Sequence, residues 1–236
     1  MNIKVILIGL LILASGFFYY NITGFVVASE EYDVIRVIDG DTFEIDEGIK
    51  VRMIGINTPE KLLPYGEEAE KFLRNKIENK TVIIENYGYD KYGRILAHVF
   101  LDETHINKEI LEEGFGTLFY YEKDNYYDEM KQAEEMARKN KKNIWKESSK
   151  KNCLELLELK YTEKPNRCSN DELVVIKNNC GEVVQFIMKD DATHIYYEAL
   201  YPGEVLQKEF SCIWNDDGDS LYVFDQEGML IFYRYP

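Results

Sequence analysis

The chain has 236 residues, enough for one large domain or two modest ones. Hydrophobic residues make up 45% of it and aromatic residues 14%, which excludes a wholly disordered chain. The formal net charge of −15 excludes a tight, non-specific nucleic-acid binder, because such binding depends on clustered Lys and Arg.

The first 28 residues are strongly apolar. Residues 5–18 carry no charge, and the apolar character continues to Ala28. They predict either a signal peptide cleaved after Ala28 or an uncleaved membrane anchor, and the distance of the apolar core from Ala28 favours the anchor. Lys4 before this segment and the acidic residues after it place the remainder outside the cytoplasm. A buried core helix is the third interpretation.

Residues 30–147 are predicted to form a first domain of strands and helices. Alternating apolar residues predict five strands, and apolar residues at i, i+3 and i+4 spacing predict helices. The strands are expected at 34–38, 42–45, 51–54, 81–85 and 95–101, and the helices at 66–79, 107–113 and 127–140. Five strands with about three helices suit a small Greek-key barrel of the OB type.

Residues 148–166 are rich in Lys, Ser and Asn and are predicted to be a linker, although the run 154–159 is apolar enough to pack. The alternation returns in residues 167–236, where Gly and Asp turns separate the apolar runs at intervals typical of a β-sandwich. These strands are expected at 173–177, 183–188, 194–198, 205–210, 221–225 and 229–235. The fold class is therefore mainly β with helices, a barrel followed by a sandwich.

All four cysteines lie in the last third of the chain, and disulfides fit an extracytoplasmic compartment. The absence of C-x-x-C spacing and the scattering of the three histidines argue against a zinc site. Three pairings are open. We favour Cys153–Cys168 with Cys180–Cys212, and free buried thiols are the alternative.

The first domain carries groups suited to phosphodiester hydrolysis, which needs a base for water and positive charge for the phosphorane. Asp39-Gly40-Asp41-Thr42 places two carboxylates at a turn, and Ca²⁺ prefers oxygen ligands. Arg52 lies in an apolar strand, where it must meet an anion. Taken singly, the Asp turn is more simply a capped or solvated turn, and Arg52 is as readily a buried salt bridge.

Two further segments add to this set. Asn57-Thr58-Pro59-Glu60 supplies an amide oxygen, a backbone carbonyl and a carboxylate, although a lone Glu in a turn is usually a surface residue. Arg94 lies in a Gly-containing turn, and its planar guanidinium matches two phosphate oxygens.

Residues 32–145 resemble the thermonuclease (staphylococcal nuclease-like) family in the order and spacing of their motifs. The matching segments are RVIDGDTF at 36–43, VRMIGINTPE at 51–60, YGEEA at 65–69, DKYGRILA at 90–97 and NIW at 143–145. The resemblance implies an OB-fold barrel and Ca²⁺-dependent endonucleolytic cleavage of DNA and RNA.

The same resemblance implies a role for each site residue. The catalytic residues would be Arg52, Glu60 and Arg94. The Ca²⁺ ligands would be Asp41, Asn57 and the Thr58 carbonyl, with Asp39 in support. The substrate contacts would be Lys91, Tyr92 and Tyr120. Glu60 would orient or deprotonate water, and Arg94 would stabilise charge rather than donate a proton, since a guanidinium is a poor proton donor.

Two departures from the family pattern bear on these expectations. Asn57 stands where better-known members carry aspartate, which predicts weaker Ca²⁺ affinity rather than lost activity, and tighter binding in Asn57→Asp. The segment 61–65 is short, and the longer lysine-bearing loop of some relatives has no counterpart in it.

Residues 167–236 resemble the lamin-tail domain, an immunoglobulin-like β-sandwich. The segments are ELVVIKNN at 172–179, LYPGE at 200–204 and, most specifically, IWNDDGDSLYVFD at 213–225. The resemblance implies a binding or positioning module without catalysis of its own. Asp216, Asp217 and Asp219 are better explained as turn caps than as metal ligands.

The sequence thus predicts a monomeric, secreted or membrane-anchored endonuclease that acts on DNA or RNA, with an unknown partner for its C-terminal domain. The N-terminal segment would contact a membrane if it stays uncleaved. The alternative is a non-catalytic nucleic-acid or surface-binding protein on a nuclease-like barrel. Degenerate copies of the fold lose the arginines and the glutamate, whereas this chain keeps Arg52, Glu60 and Arg94. A structural surface protein is the third interpretation.

Overall fold

The structure, a computed structural model, describes residues 29–120, 122–161, 172–191, 194–211, 213 and 219–234. The first part contains eight strands and three α-helices within these residues. The strands are β1 Ser29–Val37, β2 Thr42–Ile45, β3 Lys50–Met53, β4 Gly55–Asn57, β5 Thr81–Tyr89, β6 Ile95–Leu101, β7 Thr104–His105 and β8 Thr117–Phe119. The helices are α1 Gly66–Ile77, α2 Ile106–Glu112 and α3 Tyr127–Lys139.

Five of these strands close into a barrel. β1 pairs antiparallel with both β2 and β5, β2 with β3, and β5 with β6, while a parallel pairing of β3 with β6 completes the ring. In β3 the alternation fixes the inner face, since Val51 and Met53 are fully buried and Lys50 is exposed. The predicted five-stranded OB-like barrel with three helices is confirmed.

The helices pack one apolar face each onto or beside the barrel. In α1 the buried positions Ala69, Leu73 and Ile77 follow one another at four-residue spacing. The acidic first turn and basic last turn of α1 and α3 also suit the helix dipole. Gly114 follows the end of α2 with a φ of 70°, a conformation that glycine adopts without strain.

In the second part, the described residues form seven strands, in two sheets around one core. They are β9 Leu154–Lys160, β10 Glu172–Asn178, β11 Val184–Lys189, β12 Ile195–Leu200, β13 Val205–Phe210, β14 Ser220–Phe224 and β15 Met229–Arg234. One sheet has the order β13-β10-β9 and the other β12-β11-β14-β15. Val174 and Ile176 of one sheet and Val184, Met188 and Val223 of the other are completely buried. The two sheets fit the predicted β-sandwich; the lamin-tail resemblance stays a prediction.

The two parts share a small apolar cluster. Its buried members are Ala137, Ile144, Trp145, Tyr222 and Met229. The backbone at this junction is also bonded across, because Met229 N donates to Lys146 O at 2.7 Å and Ser148 N donates to Met229 O at 3.1 Å. The sandwich is therefore docked on the barrel rather than attached only through the chain.

The predicted linker and disulfides need correction. Strand β9 lies inside the segment 148–166 expected to be a linker, because its apolar residues pair with β10. This pairing sets Leu154 opposite Asn178 and brings Cys153 to Cys180, with the two Cα atoms 4.9 Å apart in a disulfide. The predicted pairs Cys153–Cys168 and Cys180–Cys212 are therefore wrong. Strand register decides the partner, and Cys168 and Cys212 lie outside the described residues.

Residues 1–28, for which a signal peptide or membrane anchor is predicted, lie outside the described residues. Within the described part of the chain, every helix is too short or too polar to span a bilayer.

Candidate active site

The turn between β1 and β2 brings two carboxylates together. Asp41 N donates to Asp39 Oδ1 at 3.0 Å, and Ile38 N closes the turn on Thr42 O at 2.9 Å. A Cβ placed on Gly40 would lie 2.6 Å from Thr58 Oγ1, closer than real side chains pack. Gly40 is therefore required by space, since it lets this turn approach Thr58.

Asp41 is the centre of a hydrogen-bond cluster. Its Oδ2 accepts from both Thr58 N at 2.9 Å and Thr58 Oγ1 at 3.1 Å. Its Oδ1 accepts from Thr42 Oγ1 at 3.1 Å and lies 3.2 Å from Arg52 Nε. These contacts hold Asp41, Arg52 and Thr58 in one group, although Thr58 is 17 residues from Asp41 in the chain.

The Arg52 side chain is largely buried, with 15% of it exposed. The β2–β3 register aligns Arg52 with Thr42, which places it beside Asp41. Its guanidinium donates to Ile56 O at 2.9 Å and to Met53 O, and its Nη2 lies 3.5 Å from Asn57 Oδ1. The buried salt bridge considered from sequence is therefore present, and it belongs to the same cluster as the candidate metal ligands.

Asn57 has contacts on both sides. It ends β4, and its backbone oxygen accepts from Thr117 Oγ1 of β8 at 3.3 Å. Its side-chain Nδ2 donates to the backbone oxygen of Asp191, which lies just beyond β11 of the sandwich, at 2.9 Å. The amide oxygen faces Arg52, and the amide nitrogen faces the second part of the molecule.

Glu60 lies three residues beyond Asn57 with its side chain exposed. Its backbone is anchored, because Glu60 O accepts from Leu63 N at 2.8 Å and a Cβ on Gly66 would lie only 2.1 Å from that oxygen. Lys189 of the sandwich is near: burial lowers the pKa of Lys189, and the carboxylate of Glu60 is one of the charges that oppose this shift. A fixed backbone thus presents a solvent-accessible carboxylate three residues beyond Asn57.

Arg94 lies in the turn between β5 and β6. Its Nε donates to Asp90 Oδ2 at 2.7 Å, and its guanidinium carbon lies 5.6 Å from the centre of the Tyr92 ring. Lys91 Nζ lies 5.0 Å from the same ring, and Tyr92 itself is 72% exposed. The predicted substrate contacts Lys91 and Tyr92 therefore share an exposed cationic turn with Arg94.

The barrel register relates this turn to Arg52. In the parallel pairing of β3 with β6, Arg52 is aligned with Leu96. The hairpin ladder continues back to Arg94, because Asp90 N donates to Arg94 O at 3.0 Å. Arg94 lies two residues before Leu96, just outside β6. That Arg52 and Arg94 approach the same phosphate stays a prediction.

Tyr120 is packed into the wall of the barrel. A Cβ on Gly55 would lie 2.6 Å from its ring, and its hydroxyl contacts Met130 Sδ at 3.0 Å. Burial, followed by the charge of Asp124, raises the pKa of Tyr120. A contact between Tyr120 and a nucleotide stays a prediction.

The cluster offers oxygen atoms for a cation. Within the described residues there is no group of three or more His, Cys, Asp and Glu side chains fit for a metal. The set here instead combines the carboxylates of Asp39 and Asp41 with neutral oxygens of Asn57 and Thr58, a chemistry that fits Ca²⁺. Burial, and then the charge of Asp41, raises the pKa of Asp39 to about 6. Two crowded, partly buried carboxylates are a place where a bound cation relieves repulsion.

Lys189 and Asp191 were missed from the sequence. They lie more than 125 positions after Glu60 and Asn57 in the numbering, and no motif connects them with the first domain. The Oδ1 of Asp219, expected as a turn cap, accepts from Ser220 N at 2.7 Å and from Asp191 N at 3.0 Å, so it joins the start of β14 to the end of β11. Asp216 and Asp217 lie outside the described residues.

A five-stranded barrel that carries Arg52 within an oxygen-rich cluster is consistent with an enzyme of the nuclease class, a phosphodiesterase. Residues 50–147 match the family described as staphylococcal nuclease homologue. The chain is 40% identical over 128 residues to a thermonuclease of Staphylococcus hyicus, covering 49% of this chain and 76% of that protein. It is 39% identical over 131 residues to a thermonuclease of Staphylococcus intermedius, covering 50% and 78%.

A further relative is an uncharacterized endonuclease of Escherichia coli, 29% identical over 119 residues, covering 49% of this chain and 76% of that protein. The chain belongs to the staphylococcal nuclease homologue family.

Proposed function

We propose that the chain is a Ca²⁺-dependent endonuclease that hydrolyses phosphodiester bonds of DNA and RNA outside the cytoplasm. The observation that carries the proposal is the cluster of Asp41, Arg52, Asn57 and Thr58, since it holds a guanidinium against the candidate cation ligands. The thermonuclease relatives support the substrate class. The Cys153–Cys180 disulfide supports an extracytoplasmic location, where disulfides persist.

The chain's own groups divide the work of hydrolysis. Arg52 binds a non-bridging phosphate oxygen from its fixed position beside Asp41, and Arg94 approaches from the exposed turn to stabilise the phosphorane and the leaving oxygen. Glu60, exposed on an anchored backbone, orients or deprotonates the attacking water. Ca²⁺ held by Asp41, Asn57 and the Thr58 carbonyl would supply further charge neutralisation at the phosphate.

A plasmid-nicking assay with Ca²⁺ and with chelator tests the proposal. Activity is expected with Ca²⁺ and not with chelator. Glu60→Gln and Arg94→Ala should each lower kcat/KM by two orders of magnitude or more, because they remove charge that acts in the transition state.

Two control variants remove a charge away from the candidate site, and they show whether loss of any charge lowers the rate. Glu67→Gln removes an exposed carboxylate on α1, and Arg36→Ala removes an arginine that is 62% exposed and paired with Glu44 on the barrel. Both controls should retain near-normal rates. Near-normal rates in folded Glu60→Gln or Arg94→Ala would remove those residues from catalysis, and no Ca²⁺-stimulated cleavage by the parent chain would favour a non-catalytic binding protein.

A further inference from the structure

The bond between Asn57 and the sandwich fixes which way the Asn57 amide points. A backbone carbonyl can only accept, so the Asp191 oxygen selects the amide nitrogen of Asn57, 2.9 Å away. The amide oxygen is then left on the side of Arg52 Nη2, 3.5 Å away, where the candidate cation ligands lie. An aspartate at position 57 has no N–H to offer this carbonyl.

Asp191 is itself held firmly. Its Oδ2 accepts from Ser220 Oγ at 3.1 Å, and its Oδ1 accepts from the Tyr222 hydroxyl. Its backbone N donates to Asp219 Oδ1 at 3.0 Å. These bonds from β14 and the residue before it set the position of the carbonyl that meets Asn57.

The hydrogen bonds continue from Asp191 back to the barrel through buried groups. Arg234 Nη2 donates to the Tyr222 hydroxyl at 3.1 Å and to Glu134 Oε1 at 3.1 Å. The Glu134 side chain is fully buried and also accepts from Leu118 N of β8, at 2.8 Å. Since β8 pairs with β4, which ends at Asn57, the contacts form a closed ring that includes both parts of the molecule.

We infer that the C-terminal sandwich is a working part of the nuclease site, in which the Asp191 carbonyl is the positioning group that turns the Asn57 amide oxygen toward the cation. The inference rests on the proposed function. It gives this chain a reason to carry asparagine at position 57, and it assigns the sandwich a role in cation affinity that does not require a separate partner.

Tyr222→Phe in the full chain tests the inference. It removes only the hydroxyl that holds Asp191, and Ca²⁺ binding is measured by titration calorimetry without nucleic acid. We expect the dissociation constant for Ca²⁺ to rise roughly three- to ten-fold in the parent chain, the effect of one lost positioning hydrogen bond. In the Asn57→Asp background, which lacks the bond to the Asp191 carbonyl, Tyr222→Phe should change that constant by less than about two-fold.

A second variant and a control variant exclude loss of the fold as the cause of weaker Ca²⁺ binding. Ser220→Ala removes the other hydroxyl on Asp191 and should reproduce the result. Lys208→Ala removes an ion pair with Glu198 on strands of the sandwich away from the barrel and should leave Ca²⁺ affinity unchanged. At saturating Ca²⁺ the kcat of Tyr222→Phe should return to near the parent value, which a general loss of structure does not predict.

The outcomes distinguish the two claims. If the parent chain binds Ca²⁺ and cleaves plasmid, but folded Tyr222→Phe and Ser220→Ala bind Ca²⁺ as it does, the sandwich does not position Asn57 and the inference is overturned. Equal weakening in the parent and in the Asn57→Asp background overturns it too. If the parent chain neither binds Ca²⁺ nor cleaves, the proposed function fails and the inference fails with it.

Discussion

Single residues set how closely the segments of the site can approach. Gly40 lies between the two carboxylates, and the space for its missing Cβ is filled by Thr58 Oγ1 at 2.6 Å and Ala69 Cβ at 2.8 Å. The turn therefore packs on Thr58 and α1 at once. The glycine of the D-G-D motif thus allows close approach between segments of the protein.

Gly40→Ala is expected to destabilise the protein by about 1–3 kcal/mol, the usual cost of overpacking. The added methyl group must push Thr58 away from Asp41, so the rate of cleavage should fall as well. Denaturant unfolding and the plasmid assay measure the two effects. Gly181→Ala is the control, because nothing lies within 4 Å of a Cβ built there. Equal stability of the two variants would show that the turn adjusts freely.

The sequence predicts helices and strands well where they are long enough for their apolar residues to show a regular spacing. The strand expected at 81–85 is found in β5, and the helix expected at 127–140 is α3 Tyr127–Lys139. The missed strand β4 has three residues, too few for alternation to appear. In β9, with sequence LELLELK, apolar residues also recur at helical spacing. Only its pairing with β10 identifies this segment as a strand.

The junction of β6, β7 and the α3 region buries a chain of titratable side chains. His98 Nε2 lies 2.7 Å from Asp124 Oδ2, and His98 Nδ1 lies 2.9 Å from His105 Nε2. Because a carboxylate can only accept, His98 Nε2 donates to Asp124 Oδ2. Burial, and then the charge of His98, lowers the pKa of His105 to about 3. The neutral form of His105 belongs to the folded state.

His105 should therefore make folding sensitive to acid. The unfolded chain takes up a proton near the ordinary pKa of 6.5, whereas folded His105 does so only near 3. Stability from this residue is present above pH 6.5 and is lost as pH falls toward 3, by at most about 1.4 kcal/mol per pH unit. Urea unfolding of the parent and of His105→Gln at pH 7 and pH 5 measures this. A parent that loses no more stability than the variant would contradict it.

At the scale of the whole molecule, a buried ion pair joins barrel and sandwich. Arg234 of β15 pairs with Glu134 of α3, whose side chain is fully buried. Burial alone lowers the pKa of a guanidinium, but the charges of Tyr222 and Glu134 outweigh it, so the pKa of Arg234 is raised and its guanidinium stays charged. The sequence did not predict this contact, because the two residues are 100 positions apart and neither belongs to a motif.

Arg234→Met should destabilise the full chain by about 3–5 kcal/mol, because it leaves the Glu134 carboxylate buried without its cation. Adding Glu134→Gln should recover a large part of that loss. Thermal unfolding of the parent, the single variants and the double variant measures the coupling. A loss below about 1 kcal/mol in Arg234→Met would mean that water replaces the guanidinium beside Glu134 and that the ion pair contributes little to the stability of the interface.

The site was predictable to the extent that its residues are close in sequence or belong to a motif. Asp41, Arg52, Asn57 and Thr58 were named from the sequence, and the structure brings them together. The roles of Glu60 and Arg94 stay predictions. What the sequence did not show is the contribution from the sandwich, because the Asn57–Asp191 bond spans 134 positions and one partner is a backbone oxygen, which carries no residue signature.

Trp145, in the motif that ends the first domain, is 3% exposed, and the rings of Tyr222 and Phe232 of the sandwich pack against it. A nuclease domain separated from the sandwich would expose this indole, together with Ile144 and Ala137, to water as an apolar surface. Domain swaps and truncations made at residue 147 should thus be designed with polar replacements on that face, or the product will self-associate before its catalysis can be judged.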